Sequence, residues 1–318
     1  MNEETLIKVD HISRYYGERC AIEDVSFTVN RGEVLGFLGP NGAGKSTTMQ
    51  IISGVLTPSE GTVSIAGYDI IDHPDPAKQH LGFLPETPPL YPESTVDEYL
   101  YYCARLHRVP KTKLADVVTN CKDRCGLEAT GKRLIGNLSK GFQQRVGIAQ
   151  AIVHSPAVLI LDEPTSGLDP SQIVEIRQLI SELKDEHSII LSTHILSEVQ
   201  SNCDRVLIIN EGNLVLDEQL DTLYKDEDYR NITIALEKTP LLEEIEAVEG
   251  VVKAISMDKH RFRVTFDSEI NTPVILAEKA TANNWGLFEM IPEVDTLEEI
   301  YLQVTHGDPQ LNIEENVI

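Results

Sequence analysis

The stretch GPNGAGKST, residues 39–47, follows an apolar run that predicts a strand and opens a segment that predicts a helix. Its spacing, a glycine followed by four residues and then Gly-Lys-Ser, is the P-loop pattern. Such glycines let backbone N–H groups surround phosphates, while Lys45 brings positive charge to the β and γ groups and the Ser46 hydroxyl can ligate Mg²⁺. The candidate phosphate-binding residues are therefore Gly39, Asn41, Gly42, Gly44, Lys45, Ser46 and Thr47.

A second stretch, VLILDEP at residues 158–164, supplies acidic groups. Its four apolar residues predict a buried strand that delivers Asp162 to its carboxyl end, where α/β sheets place ligands. An acid there can hold the Mg²⁺ of a P-loop NTPase, and Glu163 can polarise the attacking water as a general base. An apolar strand that ends in aspartate is common, so this prediction depends on its pairing with the P-loop.

The composition is typical of a soluble globular protein, with 41% apolar and 25% charged residues in a chain of 318. No apolar run approaches the roughly 18 residues that a membrane span needs. The polar start MNEETLIKVD does not resemble a signal peptide, and five scattered cysteines suit a reducing cytoplasm. The formal net charge is −24 and there is no basic run, which argues against binding nucleic acid or inserting directly into a membrane.

Strands alternate with helices over residues 1–225, which predicts an α/β cassette of the P-loop NTPase type around a mainly parallel sheet. Residues 5–38 contain short strands joined by turns, and we expect an antiparallel β subdomain at the start of the chain. From residue 94 to about residue 155 the pattern is helical. We expect this part to be a helical insertion into the cassette.

A second, smaller domain is predicted over residues 226–318. After the polar stretch YKDEDYR (residues 224–230), the predicted order β-α-β-β-α-β-α matches a ferredoxin-like α+β domain. Residues 225–318 hold 20 acidic and 8 basic residues, so their net charge of −12 is half that of the whole chain. Because no phosphate-handling residue lies there, we expect a regulatory or dimerisation role.

The stretch LSKGFQQR, residues 138–145, is an unusual start for a helix. Ser139 is a good N-cap, but Gly141 falls in the first turn, where glycine costs roughly 0.5–1 kcal/mol relative to alanine. A helix N-terminus that permits close approach to its backbone is a natural anion site. The residues themselves leave open which anion binds there.

Together these motifs resemble the ATP-binding subunit of an ABC transporter. GPNGAGKST, LSKGFQQR, LILDEPTSGLDP and STH occur in that family's order, and the resemblance covers roughly residues 5–225. It implies an ATPase that uses ATP and Mg²⁺ and pairs head-to-tail, as a homodimer or with a homologous cassette. Each ATP would lie between the P-loop of one cassette and the signature helix of the other, where Ser139 and Gly141 would contact the γ-phosphate.

The resemblance assigns three further residues. Tyr16 matches the aromatic residue that stacks on adenine, with a surface tyrosine as the alternative, and Tyr15 fits a structural role better. His194 matches the switch histidine that contacts the γ-phosphate, with a core or cap histidine as the alternative. Asp169 matches the loop that crosses the dimer interface, and it also fits a helix cap.

The sequence departs from the family pattern at two places. The common signature is Leu-Ser-Gly-Gly-Gln, but here Lys140 and Phe142 stand beside the retained Ser139 and Gly141. Lys140 can add positive charge near the phosphate or point to solvent. Glu86 stands where the family has a glutamine that senses Mg²⁺ and the attacking water, so it keeps an oxygen ligand but adds a negative charge.

The resemblance also implies a location and partners. We expect the chain to lie in the cytoplasm, docked on a separate permease at the inner face of the cell membrane through residues 87–100 and the helices beyond. The motif LPE, the signature lysine and the C-terminal domain are similar to bacterial ABC-2-type export and gliding-motility ATPases.

Two alternatives belong to other functional classes. A soluble ABC ATPase acting on nucleic acid or ribosomes would need two cassettes, a long coiled coil or a basic face, none of which is visible. A catalytically silent regulatory cassette would be expected to lose Lys45, Glu163 or His194, and all three are present.

Overall fold

A computed structural model of the protein describes residues 4–223, 231–267, 270–293 and 297–306. The chain divides into two compact units, residues 1–220 and 221–318. The predicted linker at residues 224–230 lies outside the described residues, so the boundary between residues 225 and 226 stays a prediction.

Two sheets and a set of helices make up the first unit. The strands within residues 4–223 are β1 (Thr5–Tyr16), β2 (Arg19–Asn30), β3 (Val34–Leu38), β4 (Glu60–Ile65), β5 (Tyr68–Asp69), β6 (Leu81–Leu84), β7 (Val158–Asp162), β8 (Ser188–Thr193), β9 (Arg205–Asn210) and β10 (Asn213–Gln219). The α-helices in the same range are α1 (Lys45–Ile52), α2 (Pro74–Gln79), α3 (Val96–Leu106), α4 (Leu114–Arg124), α5 (Lys140–Ile152), α6 (Pro170–Leu183), α7 (Leu196–Asn202) and α8 (Leu220–Leu223).

The larger sheet has the strand order β10-β9-β3-β8-β7-β6, and all neighbours except β9 and β10 are parallel. Its central strands β3, β7 and β8 are buried along their whole length, as expected of a parallel sheet that is covered on both faces. Leu159 and Leu161 of β7 pack into the core shared with α3–α6. Val158 and Ile160 pack into the opposite core. The predicted α/β class is confirmed.

The smaller sheet of this unit is antiparallel, with the order β2-β1-β4-β5, as predicted for the start of the chain. The stretch TVSIAGYDI, which predicts one strand, is divided between β4 and β5. Ala66 and Gly67 separate them with φ values of 49° and 81°. Two consecutive residues in the left-handed region reverse the chain, and a run of alternating apolar residues does not reveal such a turn.

The helical insertion places the middle of α5 close to the end of β6 and the loop that follows it. A Cβ atom on Gly147 of α5 would lie 2.7 Å from Leu84 Cδ1 and 3.0 Å from Pro88 Cβ. The glycine therefore permits a contact that any side chain would prevent. At the other end of the insertion, α3 begins with a capping box in which Thr95 and Glu98 satisfy each other's backbone N–H groups.

The second unit has its own sheet and core. Its described elements are β11 (Asn231–Leu236), α9 (Leu242–Glu246), β12 (Val251–Ser256), β13 (Arg261–Phe266), α10 (Thr272–Ala282), β14 (Leu287–Glu293) and α11 (Leu297–His306). The antiparallel strand order β12-β13-β11-β14 is that of the predicted ferredoxin-like domain. Residues of both sheet and helices, including Phe262, Leu276 and Trp285, form a separate core cluster.

Helices α2 and α7 are absent from the sequence prediction. The segment HPDPAKQ contains two prolines and so favours a loop, but its first proline begins α2, where a missing N–H costs nothing. Helix α7 has only 7 residues, too few for a clear helical period. Among the described residues, no helix is both long and apolar enough to cross a membrane.

We predict that a chain ending at Asp226 still folds and binds MgATP. The first unit has its own cores, and all candidate phosphate-binding residues lie within it. Thermal melting followed by circular dichroism, together with nucleotide affinity, tests this prediction. A truncated chain that aggregates, or that melts without a cooperative transition, would show that the second unit is an integral part of the cassette.

Candidate nucleotide-binding site

The P-loop connects β3 to α1 through glycines that no other residue replaces easily. Gly42 and Gly44 have φ values of 83° and 116°. A Cβ atom on Gly44 would also lie 2.6 Å from Ile22 Cγ2, and one on Gly39 would collide with the Ile209 carbonyl oxygen. No side chain caps the N-terminus of α1, so its N–H groups remain open to an anion.

Lys45 is buried, with 5% of its surface exposed, and its ammonium is held inside the loop. Its Nζ donates to the Gly39 carbonyl oxygen at 2.8 Å and to the Pro40 carbonyl oxygen at 3.3 Å. The same Nζ lies 3.5 Å from Glu163 Oε1. The sequence predicts that this cation binds phosphate, and in the structure two carbonyl oxygens and one carboxylate surround it.

Asp162 ends β7 as a buried carboxylate. Its Oδ1 accepts a hydrogen bond from Ser192 Oγ at 2.7 Å, and the Ser46 side chain also bonds to it. Burial raises the pKa of Asp162, those two hydrogen bonds oppose the shift, and the nearby charges of Glu163 and Glu86 add to it. Two of the three predicted Mg²⁺ ligands, Ser46 and Asp162, are therefore neighbours.

Glu163 lies between two nitrogen groups. Its carboxylate oxygens are 2.9 Å and 3.0 Å from His194 Nδ1, in addition to the contact with Lys45. Glu163 is 6% exposed and has a φ of 50°, a left-handed conformation that is uncommon for residues other than glycine. Such strained conformations cluster at functional sites, because the surrounding contacts must hold them in place.

These groups surround one cavity of about 520 Å³, within the range of small-ligand sites. The cavity is lined by Tyr16, Arg19, Ala21, Asn41, Gly42, Gly44, Lys45, Ser46, Thr47, Glu86, Glu163, Ser166 and His194. Gly39 and Asp162 lie behind its wall, in contact with Lys45 and Ser46 respectively. Sequence reasoning missed Arg19, Ala21 and Ser166, since none of them belongs to a recognisable motif.

Tyr16 extends from the end of β1 at the rim of this cavity, with 48% of its surface exposed. The guanidinium carbon of Arg14 lies 4.9 Å from the centre of its ring, a cation–π contact that the sequence analysis did not anticipate. Arg14 Nη1 is itself fixed by the Thr57 carbonyl oxygen at 3.0 Å. Arg14, a neighbour in the same strand, thus positions the Tyr16 ring, while 48% of the residue's surface stays accessible.

Ser139, Gly141 and Asp169 do not line this cavity. Ser139 Oγ accepts a hydrogen bond from the Phe142 amide at 3.5 Å at the start of α5. Asp169 Oδ1 accepts one from the Gln172 amide at 3.0 Å, so it is the helix cap of α6. Together with Gln172, whose amide bonds to Asp169, Ser139 and Gly141 form a second surface of the same chain that lines a small cavity distinct from the P-loop cavity.

Gly141 and Lys140 have unexpected neighbours on that second surface. A Cβ atom on Gly141 would lie 2.6 Å from Gln172 Cδ, so the glycine also makes room for a side chain of its own chain. Lys140 is exposed, but its Nζ lies directly over Gly167, in the loop that follows Glu163. The sequence leaves open whether Lys140 adds positive charge near the phosphate or points to solvent, and neither alternative fully describes its contact with Gly167.

Comparison with known proteins decides the family. The family model for the ABC transporter domain matches residues 22–166. The chain is 31% identical over 305 residues to the ABC transporter ATP-binding protein YxlF of Bacillus subtilis, an alignment that covers 95% of this chain and 100% of that protein. The chain belongs to the ATP-binding proteins of ABC transporters.

Two further similarities agree with this assignment. The bacitracin transport ATP-binding protein BcrA of Bacillus licheniformis is 38% identical over 223 residues, covering 70% of this chain and 72% of that protein. A solved dimeric bacterial ABC transporter cassette is 26% identical with a TM-score of 0.62, covering 68% of this chain and 99% of that one. The chain is thus an ATP-binding cassette and an ATPase, and the transporter subunit predicted from its motifs is favoured over the alternatives.

We predict that Tyr16→Ala weakens ATP binding by about tenfold, since stacking of a base on an aromatic ring contributes roughly 1–3 kcal/mol. Tyr16→Phe keeps the ring and should bind ATP nearly as well as the unchanged protein. Titration with a fluorescent ATP analogue measures both. Tyr15→Ala is the matched control at a neighbouring exposed tyrosine, and an equal loss in that variant would contradict a specific role for Tyr16.

Proposed function

We propose that two copies of this chain, or this chain and a homologous cassette, pair head-to-tail and hydrolyse ATP at their interface. One observation carries the proposal: Ser139 and Gly141 line a different cavity from that of the P-loop. A single chain therefore presents a phosphate cradle in one cavity and, in another, a helix N-terminus at which Ser139 is exposed and Gly141 is buried beside Gln172. The dimeric cassette that resembles this chain supports the same pairing.

In the proposed site, Lys45, the P-loop amides and the partner's signature helix surround the phosphates. Because the charge that develops during phosphoryl transfer falls on the phosphate oxygens, positioned cations and N–H groups stabilise it. Lys45 would exchange its contacts with Gly39, Pro40 and Glu163 for contacts with ATP. Glu163, no longer paired with that ammonium, would then accept a proton from the attacking water.

His194 orients this base. Its Nδ1 contacts both carboxylate oxygens of Glu163, and its side chain is 45% exposed toward the cavity. The ring can therefore hold the carboxylate on one side and face the γ-phosphate on the other. This arrangement combines the predicted switch role with a positioning role that the sequence did not indicate.

The residues present suit Mg²⁺, which prefers hard oxygen ligands. The Ser46 hydroxyl, the Asp162 carboxylate and the Glu86 carboxylate are the candidate ligands, and Ser46 and Asp162 already contact each other. Among the described residues there is no group of three or more His, Cys, Asp or Glu side chains placed to hold a metal alone. Phosphate oxygens would complete the site, where the ion would neutralise phosphate charge.

We further propose that the cassette drives a separate permease, in the export direction, from the inner face of the cell membrane. Two exposed aromatic residues support a protein contact there: Tyr91 just before the helical insertion and Tyr102 within it, with 51% and 43% of their surfaces exposed. The bacitracin transport protein, which resembles this chain, supports a transport role. The C-terminal domain, which the alignment with YxlF includes, would regulate or stabilise the cassette pair.

We predict that Glu163→Gln leaves ATP binding intact, reduces turnover by at least about a hundredfold and causes ATP-bound dimers to accumulate. An amide cannot accept the proton, and it cannot form the ion pair that holds Lys45 away from phosphate. Size-exclusion chromatography with and without ATP, together with ATPase assays, measures the effect. A variant that stays monomeric in ATP and hydrolyses at the normal rate would contradict the assigned role.

We also predict that Gly141→Asp abolishes hydrolysis while the monomer still binds ATP normally. The new carboxylate would oppose both the helix dipole and the partner's γ-phosphate. Because Gln172 occupies the nearest space, the same substitution in a Gln172→Ala background controls for crowding within the chain. If monomer affinity falls as much as turnover, the signature helix serves its own P-loop and the pairing model is wrong.

A further inference from the structure

Lys140 stands where the electrostatics of a helix disfavours a cation. It is the first residue of α5, directly after the N-cap Ser139, and no acidic residue lies in that first turn. The N-terminus of a helix carries partial positive charge, so a lysine there weakens the helix. A favourable interaction that offsets this loss of helix stability has to come from contacts of Lys140 outside α5.

The Lys140 side chain reaches the loop that follows Glu163. A Cβ atom on Gly167 would collide with Lys140 Nζ, so the ammonium lies against this glycine. The loop is a tight turn in which the amides of Ser166 and Leu168 donate to carbonyl oxygens three residues earlier, at 3.1 Å and 3.2 Å. Gly167 has a φ of 66° between them. The ammonium therefore contacts the turn that begins at the general base.

Lys140 and Glu86 both line a second cavity of about 310 Å³. Pro88, Leu90 and Ile135 form part of its walls. In a space partly enclosed by protein, opposite charges interact more strongly than in bulk water. Lys140 and Glu86, which both depart from the family pattern, are of opposite charge and share this cavity.

The second cavity adjoins the nucleotide cavity. Glu86 and Ser166 line both cavities, so they form part of the wall between them. On the nucleotide side, Asp162, Glu163 and Glu86 are three acidic groups that affect one another, and Lys45 is the cation among them. A second cation behind the wall offsets part of this negative charge.

We propose that Lys140 is a positioning residue for the hydrolysis site of its own chain. Its ammonium holds the turn at Ser166 and Gly167 and offsets the charge of Glu86. This role differs from the contact that Ser139 and Gly141 make with the partner's nucleotide, because it exists within one chain before any pairing. Only the part of the test that measures turnover rests on the proposed function.

The first experiment compares hydrogen exchange in the nucleotide-free chain and in its Lys140→Gln and Lys140→Arg variants. We expect the amides of residues 165–169 to exchange roughly threefold faster, or more, in Lys140→Gln, since the turn opens more often without the ammonium. Lys140→Arg keeps the charge and should exchange like the unchanged protein. Lys113→Gln, which removes an exposed lysine from the N-terminus of α4, is the matched control and should leave this segment unaffected.

The second experiment measures turnover in a double-mutant cycle with Glu86→Gln. We expect Lys140→Gln to lower kcat by about tenfold while KM for ATP changes less than about twofold, as for a residue that acts on the base and not on ground-state binding. Lys140→Arg should restore most of kcat. In the Glu86→Gln background the loss of kcat caused by Lys140→Gln should be clearly smaller, because the charge to be offset is gone.

The results separate the two proposals. Unchanged exchange of residues 165–169 in Lys140→Gln would overturn the positioning role whether or not the chains pair. A loss of kcat that is equal in both Glu86 backgrounds, or a rise of KM with constant kcat, would also overturn it and would place Lys140 at a partner's phosphate. Faster exchange in a chain that does not pair with ATP would support this inference and contradict the proposed head-to-tail site instead.

Discussion

Parallel pairing of four buried strands is the constraint on which the rest of the site depends. Strands β3, β8, β7 and β6 are neighbours in the sheet and run in the same direction, so their carboxyl ends lie at one edge. The P-loop follows β3, the two acids end β7, His194 follows β8 and Glu86 follows β6. The register between β7 and β8 then fixes the position of the acidic side chain. Asp162 pairs with Ser192, and the Ser192 hydroxyl donates a hydrogen bond to the Asp162 carboxylate. Burial of both sheet faces keeps that edge rigid.

Charge balance is the second feature of this edge. Lys45, Asp162 and Glu163 are 5%, 2% and 6% exposed, and an isolated charge at such depth is costly unless it is paired or hydrogen-bonded. In this structure they satisfy one another: Lys45 contacts Glu163, and hydroxyl groups bond to Asp162. In the function proposed above, ATP would compete with this ion pair for the lysine and would release the Glu163 carboxylate to act as the base. The pairing would then link nucleotide binding to activation of the base.

The sequence predicts those parts of the fold and site that depend on residues close together along the chain. The P-loop, the acids at the end of β7 and the alternation of strands and helices are contiguous patterns, and the fold class they predict is confirmed. Arg19, Ser166 and the contact between Arg14 and Tyr16 depend on chain segments that meet only in the folded protein. The same holds for the neighbours of Gly141 and Lys140, because side-chain direction at a helix start follows from packing and not from spacing. The roles assigned to individual site residues remain predictions.

The central claim is that each ATP site needs two chains. The most direct test is the ATPase rate per chain of the unchanged protein, measured over a range of protein concentrations that spans dissociation of the pair. The account predicts that this rate falls toward zero on dilution and reaches a plateau at high concentration, because only paired chains contain complete sites. A rate per chain that stays constant down to concentrations at which the protein is monomeric in ATP would contradict it.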